Sequence, residues 1–211
     1  MLTIVETNIR CGRNVPATCT AKCGPNTSDE GLIEAISGGD RRAMNLLYAR
    51  HSVRVYRFAL RLLGNEATAE DVASEVFLDV WRKAKSFEGR SRVSTWLLGI
   101  TRNKALEMLR RPSMAAADAK ACQEIEDAAD DPETAIQKKQ TGSILFECLK
   151  KLSPVHREIV DLVYYHKKPV NEVAEIIGIP RNTVKTRMFY ARAHLSKLLK
   201  EAGLERALMA A

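Results

Sequence analysis

The chain has 211 residues and a formal net charge of +7, and 45% of its residues are hydrophobic, which is typical of a globular protein with one or two domains. The five cysteines are odd in number and scattered, which excludes a disulfide framework and favours a reducing cytoplasm. No apolar run approaches the roughly 18 residues of a membrane-spanning helix, and the N-terminus lacks the continuous apolar segment of a secretory signal.

Residues 1–28 are predicted to form a polar N-terminal tail, because glycine, proline and asparagine interrupt it repeatedly. Cys11, Cys19 and Cys23 lie in this tail, and thiolates are common zinc ligands. The three contain no close CxxC pair, and a fourth ligand is missing. We therefore predict neither a metal site nor any other cofactor, and the role of these cysteines stays open.

Two helices are predicted to follow the tail. The first, Glu30–Ser37, has Ser28 or Asp29 as its N-cap and ends at a pair of glycines. The second, Arg41–Leu63, carries apolar residues at intervals of three and four and ends at Gly64. Both patterns indicate helices that bury one face in a shared core.

A third helix is predicted over Thr68–Ala84. Two adjacent rows of its side chains are expected to be buried, namely Val72, Val76 and Val80, and Ala73, Phe77 and Trp81. The opposite side carries Asp71, Glu75, Leu78 and Arg82. Such a row is usually a solvated face, but an apolar residue within an acidic row is also typical of a surface that binds a partner.

The next stretch, Ser86–Arg111, is strongly basic: from Arg82 to Arg111 nine basic residues stand against two acids. It is predicted to begin as a loop from Phe87 to Val93, with Gly89 as its pivot. The residues of this loop that carry a positive charge, a hydroxyl or an aromatic ring are Phe87, Arg90, Ser91 and Arg92. A basic loop with aromatic side chains beside it can bind a phosphate backbone and stack a base.

A helix is predicted to run from Trp96 to about Arg110, after an N-cap at Ser94 or Thr95. Its narrow polar face holds Gly99, Arg102, Asn103 and Arg110, and its core side is assigned to Leu97, Leu98, Ala105 and Leu109. Two arginines and an amide on one face favour contact with nucleic acid. The alternative is a core helix whose basic face is only solvated.

Residues 112–139 are predicted to be a flexible linker, with seven acids against three lysines. As a random coil its ends would lie about 30 Å apart, and fully extended it could reach at most roughly 90 Å. The linker is therefore long enough to hold two domains apart.

Residues 140–200 are predicted to form a second helical unit, followed by a C-terminal tail at 201–211. Ser153 and Pro154 fit the N-cap and first position of a helix that runs to Tyr165. After Pro169, a short apolar helix, the turn Gly178-Ile179-Pro180 and a long helix follow one another, which is the pattern of a helix-turn-helix.

The long helix begins with polar side chains and no acid. Those suited to read base edges in the major groove are Arg181, Asn182, Thr183, Lys185, Thr186 and Arg187. Arg192 and Lys197, further along, are better placed for phosphates. Two basic blocks separated by an acidic spacer indicate two contacts with a polyanion.

Other classes of protein fit less well. No carboxylate pair, Cys/His cluster or Gly-rich phosphate loop converges in the sequence, so we predict neither an enzyme nor a small-molecule substrate. A stand-alone helix-turn-helix regulator would need an effector or phosphoacceptor domain upstream, and residues 30–111 show neither pattern. A module that binds nucleic acid without sequence preference is the other alternative.

The sequence resembles the extracytoplasmic-function (ECF) sigma factors, promoter-recognition subunits of bacterial RNA polymerase in the sigma-70 family. AEDVASEVFLDVWRKAKSF and STWLLGITRNKALEMLRR resemble sigma region 2. LSPVHREIVDLVYY and NEVAEIIGIPRNTVKTRMFYARAHL resemble sigma region 4. The resemblance implies an all-α fold with two small helical domains, region 2 at 29–111 and region 4 at 140–200.

The resemblance also implies roles for the residues. Asp71, Glu75, Leu78 and Trp81 would bind the clamp coiled coil of the polymerase β′ subunit. The −10 promoter element would be bound and helped to melt by Phe87, Arg90, Ser91, Arg92, Ser94, Trp96, Arg102 and Asn103. The −35 element would be read by Arg181, Asn182, Thr183, Lys185, Thr186, Arg187 and Arg192. Pro180 stands where the family often has a serine cap, so the assignment of individual bases stays open.

The implied partners are core RNA polymerase, through its β′ clamp and β flap, promoter DNA and an anti-sigma factor. The implied location is the cytoplasm, with the anti-sigma factor holding the chain at the inner membrane when it is bound there. The resemblance does not identify the promoter sequence, the inducing signal or the anti-sigma factor.

Overall fold

The structure is a computed structural model that describes residue 24 and residues 26–110, 144–145 and 147–203. Within these ranges the chain forms helices joined by turns, with no strand, so the all-α prediction is confirmed. The predicted linker at 112–139 lies outside the described residues, as do Cys11, Cys19 and Cys23 and most of the C-terminal tail. No helix in the described ranges is both long enough and apolar enough to cross a membrane.

Four helices form the first unit: α1 (Asp29–Ser37), α2 (Arg41–Leu63), α3 (Glu66–Lys83) and α4 (Val93–Arg110), with a short 3₁₀ turn at Ala84–Ser86. Side chains cap three of them, because Ser28, Asp40 and Asn65 each accept a hydrogen bond from a backbone N–H in the first turn. Gly64 ends α2 in the left-handed conformation, with φ 71°, which glycine adopts without strain.

Three helices begin earlier than the sequence predicts. α1 begins one residue earlier, at Asp29, because Ser28 is its N-cap. α3 begins at Glu66 because the Asn65 side chain accepts a hydrogen bond from the Thr68 N–H at 3.0 Å. α4 begins at Val93, and the backbone N–H groups of Thr95 and Trp96 both donate to the Arg92 carbonyl, at 2.9 and 3.0 Å. Ser94 and Thr95 therefore lie in the first turn of α4 and are not its N-cap.

The core of the first unit contains most of the apolar residues assigned to it, including Leu47, Val55, Val72, Val76 and Leu97. Two assignments were wrong. Trp81 is 38% exposed and Leu109 is 56% exposed, although both were expected to face inward. Both side chains lie on the outer sides of their helices, since Val80 and Ala84 beside Trp81 are buried and Met108 beside Leu109 packs against the core.

The second unit contains α5 (Pro154–Val160), α6 (Val170–Ile177) and α7 (Arg181–Glu201). The Ser153 side chain caps α5, as predicted. The helix was expected to continue unchanged to Tyr165, but Asp161–Tyr165 widens into a π-helical turn. Gly178, with φ 74°, makes the sharp turn between α6 and α7, and the helix-turn-helix prediction is confirmed.

The two units pack against each other through a shared apolar cluster. Phe58 of α2 and Leu98 of α4 are fully buried in the same cluster as Ile159, Leu162 and Val173 of the second unit. Helix α4 lies along α6, and these two helices make the main contact between the units. The sequence predicted a linker that can hold the domains apart, and it gave no sign of this packing.

Candidate nucleic-acid interface

The loop before α4 turns at Gly89, as predicted, with φ 67°. Phe87 and Trp96 stand on either side of the turn, and their ring centroids lie 5.1 Å apart at 52°. Both rings are half-buried and pack against the core of the first unit. The two aromatic residues predicted beside the loop therefore stabilise its base and leave only part of each ring exposed.

The charged residues of the loop point outward. Arg90 is exposed, and its Nε lies 2.5 Å from Glu88 Oε2. Arg92 is exposed too, and its Nε lies 3.7 Å from Glu172 Oε1 of the second unit. The pair of Arg90 and Glu88 joins two exposed groups and is therefore weak, and Arg92 is itself exposed and lies at a long distance from Glu172. Both guanidinium groups can therefore exchange these partners for a phosphate. Ser91, between them, is partly buried.

The polar face predicted on α4 is divided. Asn103 is exposed to solvent. Arg102 has a side chain only 17% exposed, and its guanidinium pairs with the carboxylate of Glu158, with Nε 2.6 Å from Oε1. Of the two, only Asn103 is accessible to DNA while the two units are in contact.

A buried polar cluster joins the start of α4 to the second unit. The Lys168 ammonium donates hydrogen bonds to the hydroxyls of Ser94, at 2.7 Å, and Thr95, at 2.9 Å, and to Glu172 Oε2, at 2.8 Å. The Thr95 hydroxyl donates to the same carboxylate oxygen. The Lys168 side chain is 5% exposed, so this contact is well shielded from water.

The charge of Glu172 is stabilised in this cluster. Burial alone would raise the pKa of its carboxyl group. The hydrogen bonds from Lys168 and Thr95, with the positive charges of Lys168 and Arg92, outweigh burial and lower the pKa below its ordinary value. Glu172 is therefore an anion at neutral pH, placed at the N-terminal end of α4, where a helix favours negative charge.

Sequence reasoning missed Glu158, Lys168 and Glu172. Each belongs to the second unit and contacts the first at a sequence separation of more than 50 residues. Charge patterning finds partners within one helix, three or four positions apart, and it carries no information on contacts between units. The one local signal was the spacing of Lys168 and Glu172.

The predicted recognition helix, α7, has an exposed basic start. Arg181, Asn182, Lys185 and Thr186 are exposed, whereas Thr183 and Arg187 are partly buried. Pro180 precedes the helix and gives no side-chain cap, and its carbonyl accepts a hydrogen bond from the Val184 N–H at 3.2 Å. Among the described residues no acid pairs with Arg181, Lys185 or Arg187, so this end of α7 is available to a polyanion.

Arg192 lies further along α7 with a defined partner. Its Nε donates to the Tyr164 hydroxyl at 2.9 Å, and its guanidinium lies 5.8 Å from the centroid of the same ring. The tyrosine holds the arginine on the surface, where it suits a phosphate better than a base edge.

The surface predicted to bind the polymerase lies on the outer side of α3. Asp71 is exposed, and Leu78 is 53% exposed, which is high for a leucine on a packed helix. Glu75 is engaged differently, because its Oε2 lies 3.1 Å from the Lys104 ammonium of α4. Asp71, Leu78 and Trp81 thus form an outward surface, while Glu75 also links α3 to α4.

Family comparisons match two parts of the chain. Residues 47–113 match the family described as Sigma-70 region 2, and residues 148–197 match Sigma-70, region 4. The ECF RNA polymerase sigma factor SigL of Mycobacterium tuberculosis is 28% identical over 179 residues, which is 82% of this chain and 98% of that protein. The ECF RNA polymerase sigma-E factor of Escherichia coli is 29% identical over 174 residues, covering 78% and 91%.

Two solved structures share the fold. CnrH, in complex with the cytosolic domain of CnrY, superposes with a TM-score of 0.60 at 24% identity, covering 82% of this chain and 97% of that one. The sigma factor RpoE of Bartonella quintana, in complex with the anti-sigma factor NepR, gives 0.58 at 24% identity, covering 72% and 94%.

Proposed function

Because the chain belongs to the ECF sigma factors of the sigma-70 family, we propose that it directs core RNA polymerase to promoters with −35 and −10 elements. The observation that carries this is the presence of both sigma regions in order, with an exposed basic start on α7. In this proposal, residues 29–111 bind polymerase and the −10 element, and residues 140–200 bind the −35 element. Residues 112–139 are the linker between these two domains.

Helix α7 would read the −35 element in duplex DNA. The N-terminal end of a recognition helix enters the major groove, and here that end presents Arg181, Asn182, Lys185 and Thr186. Arginine and lysine suit guanine, and asparagine suits adenine. The partly buried Thr183 lies within this set and Arg187 directly after it, and Arg192 would bind the DNA backbone.

The loop and α4 would bind the −10 element as single strand. Extruding a base costs a few kcal/mol, and stacking returns about 1–3 kcal/mol per base. Phe87, Trp96 and the arginines of the loop supply contacts for a few bases only. Melting would therefore be driven jointly with the polymerase, and the isolated chain is not expected to open DNA.

The surface of Asp71, Leu78 and Trp81 would bind core polymerase at the β′ clamp, and the second unit would bind the β flap. Glu75 would contribute to the same surface from its place beside Lys104. A subunit that starts transcription works where the chromosome lies, so the proposed location is the cytoplasm.

An anti-sigma factor is a further proposed partner. The two solved structures of similar fold are a complex with the cytosolic domain of CnrY and a complex with the anti-sigma factor NepR. Such a partner, where it is membrane-bound, would hold the chain at the inner membrane.

Transcription in vitro tests the proposal. The purified chain and core polymerase are given fragmented genomic DNA of the source organism, and the 5′ ends of the transcripts are mapped. We expect a limited set of start sites preceded by two shared elements. Specific binding of duplex DNA without any transcript above that of core polymerase alone would instead identify a stand-alone regulator.

Substitution of Asn103 tests whether α4 binds the −10 element and leaves the −35 element to α7. Asn103→Ala should reduce permanganate reactivity of the −10 region in the open complex while leaving −35 binding unchanged. Asn45→Ala, which removes an exposed amide on α2, is the matched control. Trp96→Ala is a poorer test, because Trp96 also packs against the core.

A further inference from the structure

Two glutamates of the second unit lie on the basic surface of the first. Glu158 of α5 pairs with Arg102, and both side chains are largely buried by the contact. Glu172 of α6 lies at the N-terminal end of α4, bonded to Thr95 and near Arg92. Both carboxylates thus contact positions on or beside the surface proposed to bind the −10 strand.

These carboxylates have the chemistry of a bound phosphate. An arginine guanidinium takes a carboxylate or a phosphate oxygen in the same geometry. The start of a helix, with its serine and threonine hydroxyls, likewise accepts either anion. A DNA backbone cannot bind Arg102 or the first turn of α4 while Glu158 and Glu172 occupy them.

We propose that Glu158 and Glu172 stand in for DNA phosphates on α4, so that the two units form a closed state that excludes the −10 strand. This inference rests on the proposed function, in which α4 binds that strand. The start of α7, which is proposed to read the −35 element, stays exposed in the closed state. The closed state therefore blocks binding of the −10 element only. Separation of the units exchanges the two glutamates for the promoter strand.

Lys168 stabilises the closed state from the same side. It hydrogen-bonds to Ser94, Thr95 and Glu172 together. Without this ammonium, the largely buried Glu172 would keep the Thr95 hydroxyl and, as its one nearby positive charge among the described residues, the exposed Arg92. Lys168 therefore makes it favourable to bury a carboxylate at this end of α4.

The test compares Glu158→Gln/Glu172→Gln with the wild-type chain. Glutamine keeps the shape of each side chain and removes its charge. The probe is a fluorescein-labelled single-stranded DNA of mixed sequence, bound to the isolated full chain and followed by anisotropy. We expect the double variant to bind about five- to tenfold more tightly than wild type, a range of one ordinary ion pair or slightly more.

The matched control is Glu147→Gln/Glu201→Gln, which removes two exposed charges from the same unit without touching α4. This control corrects for the general increase in DNA affinity that any more positive chain would show. The radius of gyration from small-angle X-ray scattering should increase in the test variant and stay unchanged in the control. Equal affinity of the two double variants would overturn the inference, whatever the radius of gyration.

Circular dichroism checks that the double variant folds. If it does not, the single variants Glu158→Gln and Glu172→Gln decide: each should bind the probe more tightly than Glu147→Gln, and equal affinities would overturn the inference. Transcription in vitro separates the two proposals. If wild type directs transcription but the variants bind the single-stranded probe no more tightly than their controls, the closed state is wrong and the proposed function stands. If wild type directs none, the function fails.

Discussion

Arg61 of α2 forms a hydrogen-bonded ion pair with Asp161, which lies 100 positions further along the chain. The same guanidinium lies 3.6 Å from the centroid of the Tyr165 ring, and the second carboxylate oxygen lies 3.4 Å from His166 Nε2. Asp161 and His166 are buried. The interface between the two units is therefore ionic and aromatic as well as apolar, and each kind of contact can be removed by its own substitution.

Removing the carboxylate of this pair should destabilise the chain. Asp161→Ala leaves the Arg61 guanidinium without its anion, and the loss should be about 2 kcal/mol, below the ~3–5 kcal/mol of a fully buried pair because Arg61 keeps some contact with water. Urea unfolding followed by circular dichroism measures it. Asp71→Ala, which removes an exposed acid, should change stability by less than about 0.5 kcal/mol. Equal losses would show that the pair adds nothing.

Two leucine substitutions on α4 test the apolar part of the interface between the units. Leu98→Ala empties a fully buried position between the units and should cost about 2–5 kcal/mol. Leu109→Ala is the same substitution at an exposed position of α4 and should cost less than about 1 kcal/mol. Urea unfolding of both variants is the measurement. Similar costs would mean that the interface at Leu98 does not persist in solution.

The helices and the helix-turn-helix were predictable from local signals. Asp40, Ser153 and Gly178 mark helix ends through their own side chains or backbone freedom, and periodicity found most of the core. The contact between the units was not predictable, because Phe58 and Leu98 have the pattern of ordinary core residues. Only the fold shows that their neighbours include Val173, which comes from the other unit.

For the candidate site, too, exposed positions were predictable from the sequence, whereas contacts between the units were not. The outward groups, such as Asn103 and Lys185, lie where the sequence predicted them. Arg102 does not, because a helical periodicity gives the side of the helix on which a residue lies but not what covers that side. Its partner, Glu158, is 56 positions away and carries no local signal.

The stability of the closed state should depend on pH through Glu172. Its pKa is lowered in the folded chain, so its contribution is complete above the ordinary value of 4.5 and is lost as the pH falls through the lowered value. Wild type should therefore exceed Glu172→Gln in stability at pH 7, and the difference in stability should shrink as the pH falls below 4.5. Urea unfolding of both proteins across this range measures it. A difference that does not change with pH would refute the assignment to this carboxylate.

Two substitutions on α7 should separate base reading from backbone binding. Asn182→Ala removes an exposed amide at the start of the helix and should relax preference at one base pair, by about 1–3 kcal/mol of discrimination. Lys197→Ala should weaken binding to all sequences alike and flatten the dependence of log K on log salt by about one unit. Binding of a promoter duplex and its single-base variants at several salt concentrations gives both quantities. Loss of preference in Lys197→Ala, or a uniform loss in Asn182→Ala, would reverse the assignment.

The outer surface of α3 should decide binding to core polymerase. Asp71→Lys/Leu78→Ala reverses one charge and removes one apolar side chain. Both residues face solvent, so the fold should be unaffected while affinity for core polymerase falls about tenfold or more. Glu75 is left unchanged, because reversing its charge would also break its pair with Lys104 and confuse binding with stability. Glu34→Lys, which reverses an exposed acid on α1, is the control for net charge. Competition with a labelled wild-type chain for core polymerase measures the affinity, and an affinity like that of Glu34→Lys would place the polymerase contact elsewhere on the chain.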